Sequence, residues 1–220
     1  MLDEKCTPQY NYIFMVTRFV SLKGQPIHKG HCYLIRSMLD EYRQGDDIVI
    51  GIVNPYPLDT LDLSRNRKPE NFYPSRNPLS YYERTYLLRH YLTSLFVAYD
   101  PKIVSSIVIT PYFVPTIHSQ TLMYNYLDVQ INSIEYISDK DQFELGKEEE
   151  LRQIGISVKF IEALRDKKGQ HYSANKIRND ICNQLDTSDA FEPIILRLME
   201  SKNLFSTIRE RVLERVKLEK

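Results

Sequence analysis

The chain has no tryptophan, only seven glycines among its 220 residues, and three cysteines, Cys6, Cys32 and Cys182. So little glycine excludes collagen-like and low-complexity architectures. An odd, widely spaced set of cysteines forms neither a disulfide framework nor a zinc-ligand pattern, and it suits a reducing compartment, so the cytoplasm is the expected location. An excess of one charge is missing too: 29 Lys and Arg balance 29 Asp and Glu. No net field draws such a chain to nucleic acid or to an anionic membrane, and any anion must be captured by a local arrangement. Long apolar runs are also absent. The most apolar stretch, IVSSIVITPYFV, is broken by serines, Thr110 and Pro111, and the opening MLDEKCTPQY is too polar for a secretory signal. Neither a membrane span nor a nucleic-acid partner is expected.

What remains is ordinary globular composition, 42% hydrophobic and 26% charged, at a length that suits one core. A single domain is expected over residues 1–220, with a core at 11–185 and a helical tail at 186–220. NYIFMVTRFVSL, residues 11–22, is β-branched and aromatic and reads as a buried strand, and HCYLIRSMLDEYRQ carries apolar residues at helical spacing. DDIVIGIVN, residues 46–54, is a second continuous apolar run, which completes a βαβ unit. Residues 54–79 hold Pro55, Pro57, Pro69, Pro74 and Pro78 and show no period. With Arg65, Arg67, Lys68 and Arg76 this loop is either a cover for an anionic ligand or a solvated insertion.

SYYERTYLLRHYLTSLF follows as a helix, with Ser80 and Glu83 at capping-box spacing. SSIVITPYF, INSIEYIS and ISVKFIEAL read as three more strands, QTLMYNYLDVQI and KEEELRQIG as helices, and the tail as two or three helices with faces such as FEPIILRLMES and STIRERVLERVKL. Strands alternating with helices predict an α/β fold: a Rossmann-like, doubly wound parallel sheet of about five strands with C-terminal helices.

Two motifs carry chemistry. In GQPIHKGHCYLIRSML, residues 24–39, His28 and His31 flank Gly30 where strand 1 turns into a helix. In a doubly wound sheet that turn lies at the ligand crevice, and the free amides of a helix start receive phosphate. Gly30 removes a side chain from between the imidazoles, which lets an anion approach the backbone. By themselves the histidines also fit a zinc site, a catalytic base or a plain polar helix start. The second motif is HYSANKIRNDI, residues 171–181, where Ser173 suits an N-cap, Ile177 and Ile181 mark a buried face, and Arg178 adds a guanidinium to another helix start.

In this order, at the two ends of an α/β chain, the motifs resemble those of the HxGH nucleotidyltransferase superfamily, whose second signature is I-S-x-x-x-I-R. NPLSYYERTYLL, residues 77–88, and GQPIHKGH are similar to the N-P-F-T-x-x-E-R and G-R-F-Q-P-F-H-K-G-H segments of archaeal-type nicotinamide-mononucleotide adenylyltransferases. The resemblance implies transfer of AMP from ATP to a phosphorylated acceptor, with Mg²⁺ bound along with the ATP, pyrophosphate released, and often an oligomeric protein. It implies that His28, His31, Gly30, Ser173, Ile177 and Arg178 bind ATP, with His28, His31 and Arg178 catalytic. It also implies a catalytic phosphate-binding arginine after strand 1, for which Arg18 is favoured by its local Arg-Phe pair, while Lys23, which aligns without a gap, competes as an ATP-binding residue. Asn77, Arg84 and Tyr112 would meet the acceptor.

The chain departs from the pattern at several points. It lacks the proline-aspartate turn and the tryptophan that usually follow strand 3, where Pro111-Tyr112-Phe113-Val114-Pro115 stands instead, and Asn175 replaces a threonine. Tyr112, Phe113 or Tyr124 would then supply the aromatic face. A cytidylyltransferase activating a phosphorylated sugar or alcohol, and a nucleotide-binding regulatory module without transfer, are the alternative functions.

Overall fold

The computed structural model describes residues 16–53, 74–112, 133–139, 145–153 and 155–218. Five parallel strands, β1 (Thr17–Leu22), β2 (Asp47–Val53), β3 (Val108–Tyr112), β4 (Ile134–Ser138) and β5 (Ser157–Ile161), lie in the order β3-β2-β1-β4-β5. The chain runs outward from β1 through β2 to β3, then returns to β4 on the other side of β1. That reversal leaves a crevice beyond the carboxyl ends of β1 and β4, where doubly wound sheets bind ligands. The expected α/β doubly wound fold is the one observed.

Seven α-helices lie among the described residues: α1 (Lys29–Asp40), α2 (Tyr81–Ser94), α3 (Pro101–Ser106), α4 (Lys147–Gln153), α5 (Ala174–Cys182), α6 (Pro193–Ser201) and α7 (Leu204–Leu218). Alternation along the strands sorts their side chains between the two faces. Val20, Leu22, Ile48, Ile50 and Ile52 face one side and pack with Cys32, Ile35 and Met38 of α1, Leu87 and Leu88 of α2, Ile177 and Ile181 of α5, Ile195 and Met199 of α6 and Ile208 of α7. Phe19, Val49, Tyr112 and Ile137 face the other side and pack with Leu151 of α4 and Ile156. Burying each such side chain contributes about 1.5–3 kcal/mol.

The local signals explain most boundaries. Ser80 Oγ accepts the Glu83 amide at 3.1 Å and Glu83 Oε2 accepts the Ser80 amide at 2.7 Å, so the expected capping box starts α2. The sequence reading missed α3, whose last four residues, Ile103–Ser106, begin the apolar run IVSSIV; Asp100 caps it through the Lys102 amide at 2.8 Å, with Pro101 in its first turn. The expected helix QTLMYNYLDVQI, and Arg65, Arg67, Lys68, Phe113 and Tyr124, lie outside the described residues.

On the second face, Gly51 of β2 lies under Tyr112. A Cβ at Gly51 would stand 2.9 Å from Tyr112 Cβ and 3.0 Å from its Cγ, atoms that cannot move without moving β3. Gly51→Ala is expected to lower stability by about 1–3 kcal/mol in urea unfolding, because overpacking a closed core forces strands apart.

Candidate functional site

The first motif is built at the end of β1. Gly24 turns the chain out of the strand with φ +59°, in the left-handed region that favours glycine. Gln25 follows, fully buried, and its amide group makes two bonds to one residue of the distant NPLS segment: Nε2 donates to the Leu79 carbonyl and Oε1 accepts the Leu79 amide, both at 2.8 Å. His28 then opens α1, and its backbone N–H donates to His31 Nδ1 at 3.3 Å. The two imidazoles stack with centroids 3.8 Å apart. A neutral ring that accepts at Nδ1 carries its proton on Nε2, so His31 is held as an N–H donor.

Gly30 has a second role besides admitting an anion. A Cβ there would lie 3.1 Å from His28 Cε1, 3.2 Å from His28 Nδ1 and 3.5 Å from Tyr172 Cβ. The missing side chain lets Tyr172 of the second motif come down on the first, with its ring stacked 6.2 Å from that of His28. Lys29 turns toward the tail and pairs with Asp189 at 3.7 Å.

The second motif arrives from β5 through a tight turn closed by Asp166, whose Oδ1 accepts the amides of Lys168 and Gln170 at 2.9 and 2.8 Å. Ser173 precedes α5, is exposed, and makes no side-chain cap, so its hydroxyl is not used up by the helix. Arg178 is buried, and its Nη1 donates to the carbonyl of Gln25 at 2.5 Å, a bond between residues 153 positions apart. Its Nη2 is held by Asn175 Oδ1, so the asparagine that replaces threonine fixes the guanidinium. Burial first, then the Arg76 charge, lower Arg178 to about 10.

The third island closes the other side. A short turn, Pro74–Arg76, places Arg76 within the electrostatic reach of both Arg178 and Lys23, and Asn77 beside it is buried. Arg84 of α2 is 1% exposed; its Nη1 donates to the carbonyls of Lys23 at 2.8 Å and Val53 at 2.7 Å, and its Nε to that of Ser80 at 3.3 Å. Arg84 thus ties together the carboxyl ends of β1 and β2 and puts a fixed charge beneath the crevice. From α7, Arg211 Nη1 donates to the Pro78 carbonyl at 2.8 Å and to Glu83 Oε2 at 2.7 Å, fastening this segment to the tail. Burial works against the Glu83 carboxylate, but Arg211 and the Ser80 amide outweigh it and hold Glu83 below its ordinary value.

Lys23, Arg76, Arg84 and Arg178 with the His28–His31 pair make a cationic cradle at the mouth of β1. Two comparisons bear on this geometry. Two structures of a bifunctional NMN adenylyltransferase/ADP ribose pyrophosphatase from Francisella tularensis, one complexed with AMP and a manganese ion, match over 94% and 91% of this chain, with TM-scores of 0.53 and 0.55 and sequence identities of 13% and 14%. The chain shares the fold of these two adenylyltransferase structures. It spans 56% and 53% of those Francisella chains. A phosphonoformate cytidylyltransferase from Streptomyces viridochromogenes is 32% identical over 76 residues, which is 34% of this chain and 39% of that protein. No family model matches the chain.

The fold leaves three expected site residues away from the cradle. Arg18 is the second residue of β1, about 16 Å of strand from Lys23. It bonds Asp46 and donates to the Tyr136 hydroxyl at 2.5 Å, and Glu41 lies 3.9 Å away, so it fastens the amino end of the sheet. Of the two competing positions, the strand end is held by Lys23. Ile177 faces the hydrophobic core and orients α5. Tyr112 is 1% exposed, packed across Gly51 and 6.5 Å from the Phe19 ring, on the sheet face opposite α1. Burial first, then Glu135, raise its phenol well above the ordinary value, and Glu135 itself accepts from Ser21 Oγ at 2.5 Å.

The sequence reading missed Gln25 and Arg211 as organisers and placed Arg76 only in a loop. A polar residue beside Pro26 in an otherwise apolar turn was the one available signal for Gln25. Gln25→Ala would leave two backbone groups of Leu79 buried without partners, at about 1–3 kcal/mol each. Urea unfolding of that variant is expected to show a loss of several kcal/mol.

Proposed function

We propose that this chain is an adenylyltransferase that transfers AMP from ATP to a phosphorylated acceptor, nicotinamide mononucleotide, giving NAD and releasing pyrophosphate in the cytoplasm. The observation that carries the reading is the bond from Arg178 to the Gln25 carbonyl: it draws the second motif onto the first, so two signatures far apart in sequence line one cradle. Cations there suit a triphosphate, whose charge is concentrated in a few oxygens.

An oxygen of the acceptor phosphate attacks the α-phosphorus in line, forming a new P–O bond as the bond to the bridging oxygen toward the β-phosphorus breaks. The electron pair leaves with pyrophosphate. The acceptor is already ionised, so the protein needs no strong base, and its work is positioning and charge stabilisation. Nε2–H of His31, His28, Ser173 and the guanidiniums of Arg178 and Arg76 would donate to the leaving group as its charge grows, with Lys23 adding an ammonium at the strand end. Mg²⁺ enters as part of the nucleotide substrate. Among the described residues no group of three or more His, Cys, Asp or Glu is placed to hold a resident ion, and no helix is long and apolar enough to cross a membrane.

A second reading has a specific observation in its favour: the 76-residue match to a phosphonoformate cytidylyltransferase supports CTP as donor and a phosphonate as acceptor. Purified protein with Mg²⁺, ATP or CTP, and a panel of phosphorylated acceptors separates the possibilities by pyrophosphate release. Release with ATP and nicotinamide mononucleotide is the expected result. Release only with CTP selects the second reading, and nucleotide binding without release selects a regulatory module.

Loss of one donor to a developing charge costs about 3 kcal/mol in the transition state. His31→Ala and Arg178→Ala are therefore expected to lower turnover by about a hundredfold or more, a larger effect than on unfolding free energy. Wild-type turnover in either variant would remove the assignment.

A further inference from the structure

The second motif departs from the signature it resembles at its first position: Tyr172 stands where I-S-x-x-x-I-R has isoleucine. The exchange puts an aromatic ring, half-buried, at the edge of the hydrophobic core and against the first motif. The Tyr172 and His28 rings lie 6.2 Å apart at 28°, and the His28 and His31 rings 3.8 Å apart at 27°, so His28 is the ring common to both stacks. Gly30 permits the approach, since a Cβ there would lie 3.5 Å from Tyr172 Cβ. The far end of the tyrosine is steered by the tail. Its hydroxyl is 3.4 Å from both the carbonyl and the Oδ2 of Asp189, which also pairs with Lys29 of α1 and with Lys167 of the turn before α5, each at 3.7 Å.

An imidazole turns about its last side-chain torsion in a broad, roughly two-fold well, whereas a hydrogen bond weakens steeply once donor and acceptor are misaligned. A ring that donates to a growing charge therefore needs its plane held. His31 belongs to the same helix turn as His28 and carries no information about the second motif. Tyr172 does, because it leads directly into the helix that bears Arg178.

We propose that Tyr172 is a positioning residue: its ring sets the plane of the His28 imidazole, so the segment that delivers Arg178 also aims the histidine. The inference rests on the nucleotidyltransferase reading of the site, in which His28 donates to the leaving pyrophosphate.

A double-substitution cycle tests the coupling, read by pyrophosphate release with Mg²⁺ and the donor and acceptor that the wild type turns over. Tyr172→Ile, which restores the signature residue, is expected to lower kcat by about two- to tenfold, the rate equivalent of one aromatic pair, with KM for the nucleotide nearly unchanged. Tyr172→Phe keeps the ring and is expected to retain wild-type turnover. In a His28→Gln background, Tyr172→Ile is expected to cost almost nothing further. Equal losses in the two backgrounds, equal losses from Phe and Ile, or no loss from Ile overturn the inference. A second readout needs no substrate. In the proton–carbon correlation spectrum of the free protein, the imidazole signal that disappears in His28→Gln is expected to move in Tyr172→Ile and to stay near its wild-type position in Tyr172→Phe. An unmoved signal in Tyr172→Ile overturns the inference and leaves the nucleotide reading intact. A wild type that releases no pyrophosphate with any donor and acceptor removes the nucleotide reading, and the role of the ring with it.

Discussion

The site depends on one buried glutamine. Gln25 presents its side chain to Leu79 and its carbonyl to Arg178, so three segments separated by dozens of residues meet on a single residue of the turn after β1. The bond to Arg178 matters most, because a buried guanidinium without an acceptor is costly enough to exclude that packing. Given the acceptor, α5 can bury Ile177 and Ile181 against the sheet while its first turn stays at the crevice. Packing and chemistry are thereby satisfied by the same helix.

The cluster of cations works against folding, and on the proposed reading in favour of binding. Lys23, Arg76, Arg84 and Arg178 repel one another, and burial weakens the screening that would relieve them. The structure holds them by giving Arg84 and Arg178 carbonyl acceptors from the strand-end turns, at bond lengths of 2.5–2.8 Å. Concentrated repulsion of this kind is the expected cost of a preorganised anion site, since the charges are set before the ligand arrives. At the opposite end of β1, Arg18 shows the contrasting use of the same side chain: it is surrounded by Asp46, Glu41 and Tyr136 and holds strands together.

Much of this was legible in the chain itself. The continuous apolar runs at β1 and β2 marked parallel strands, Ser80 and Glu83 marked the start of α2, and the two motifs marked the helix starts that form the cradle. The sequence could not separate Arg18 from Lys23, because local context favoured the Arg-Phe pair while the outcome depends on where the strand ends. Tyr112 was named for its aromatic ring, yet the glycine opposite it at position 51, which draws that ring into the core, is visible only once β2 and β3 are paired. Gln25 and Arg211 escaped for a related reason: their partners are backbone groups, and backbone carries no sequence signature.

The reach of α7 back to the second island sets an order of assembly. Arg211 bonds Pro78 and Glu83, and α7 packs against both the Pro74–Arg76 turn and α5. Gln25 already fastens the segment at Leu79, and the bonds from residues 204–218 are the last to form along the chain, closing its other side. Loss of the last helix would therefore loosen the turn that carries Arg76 while leaving the sheet paired.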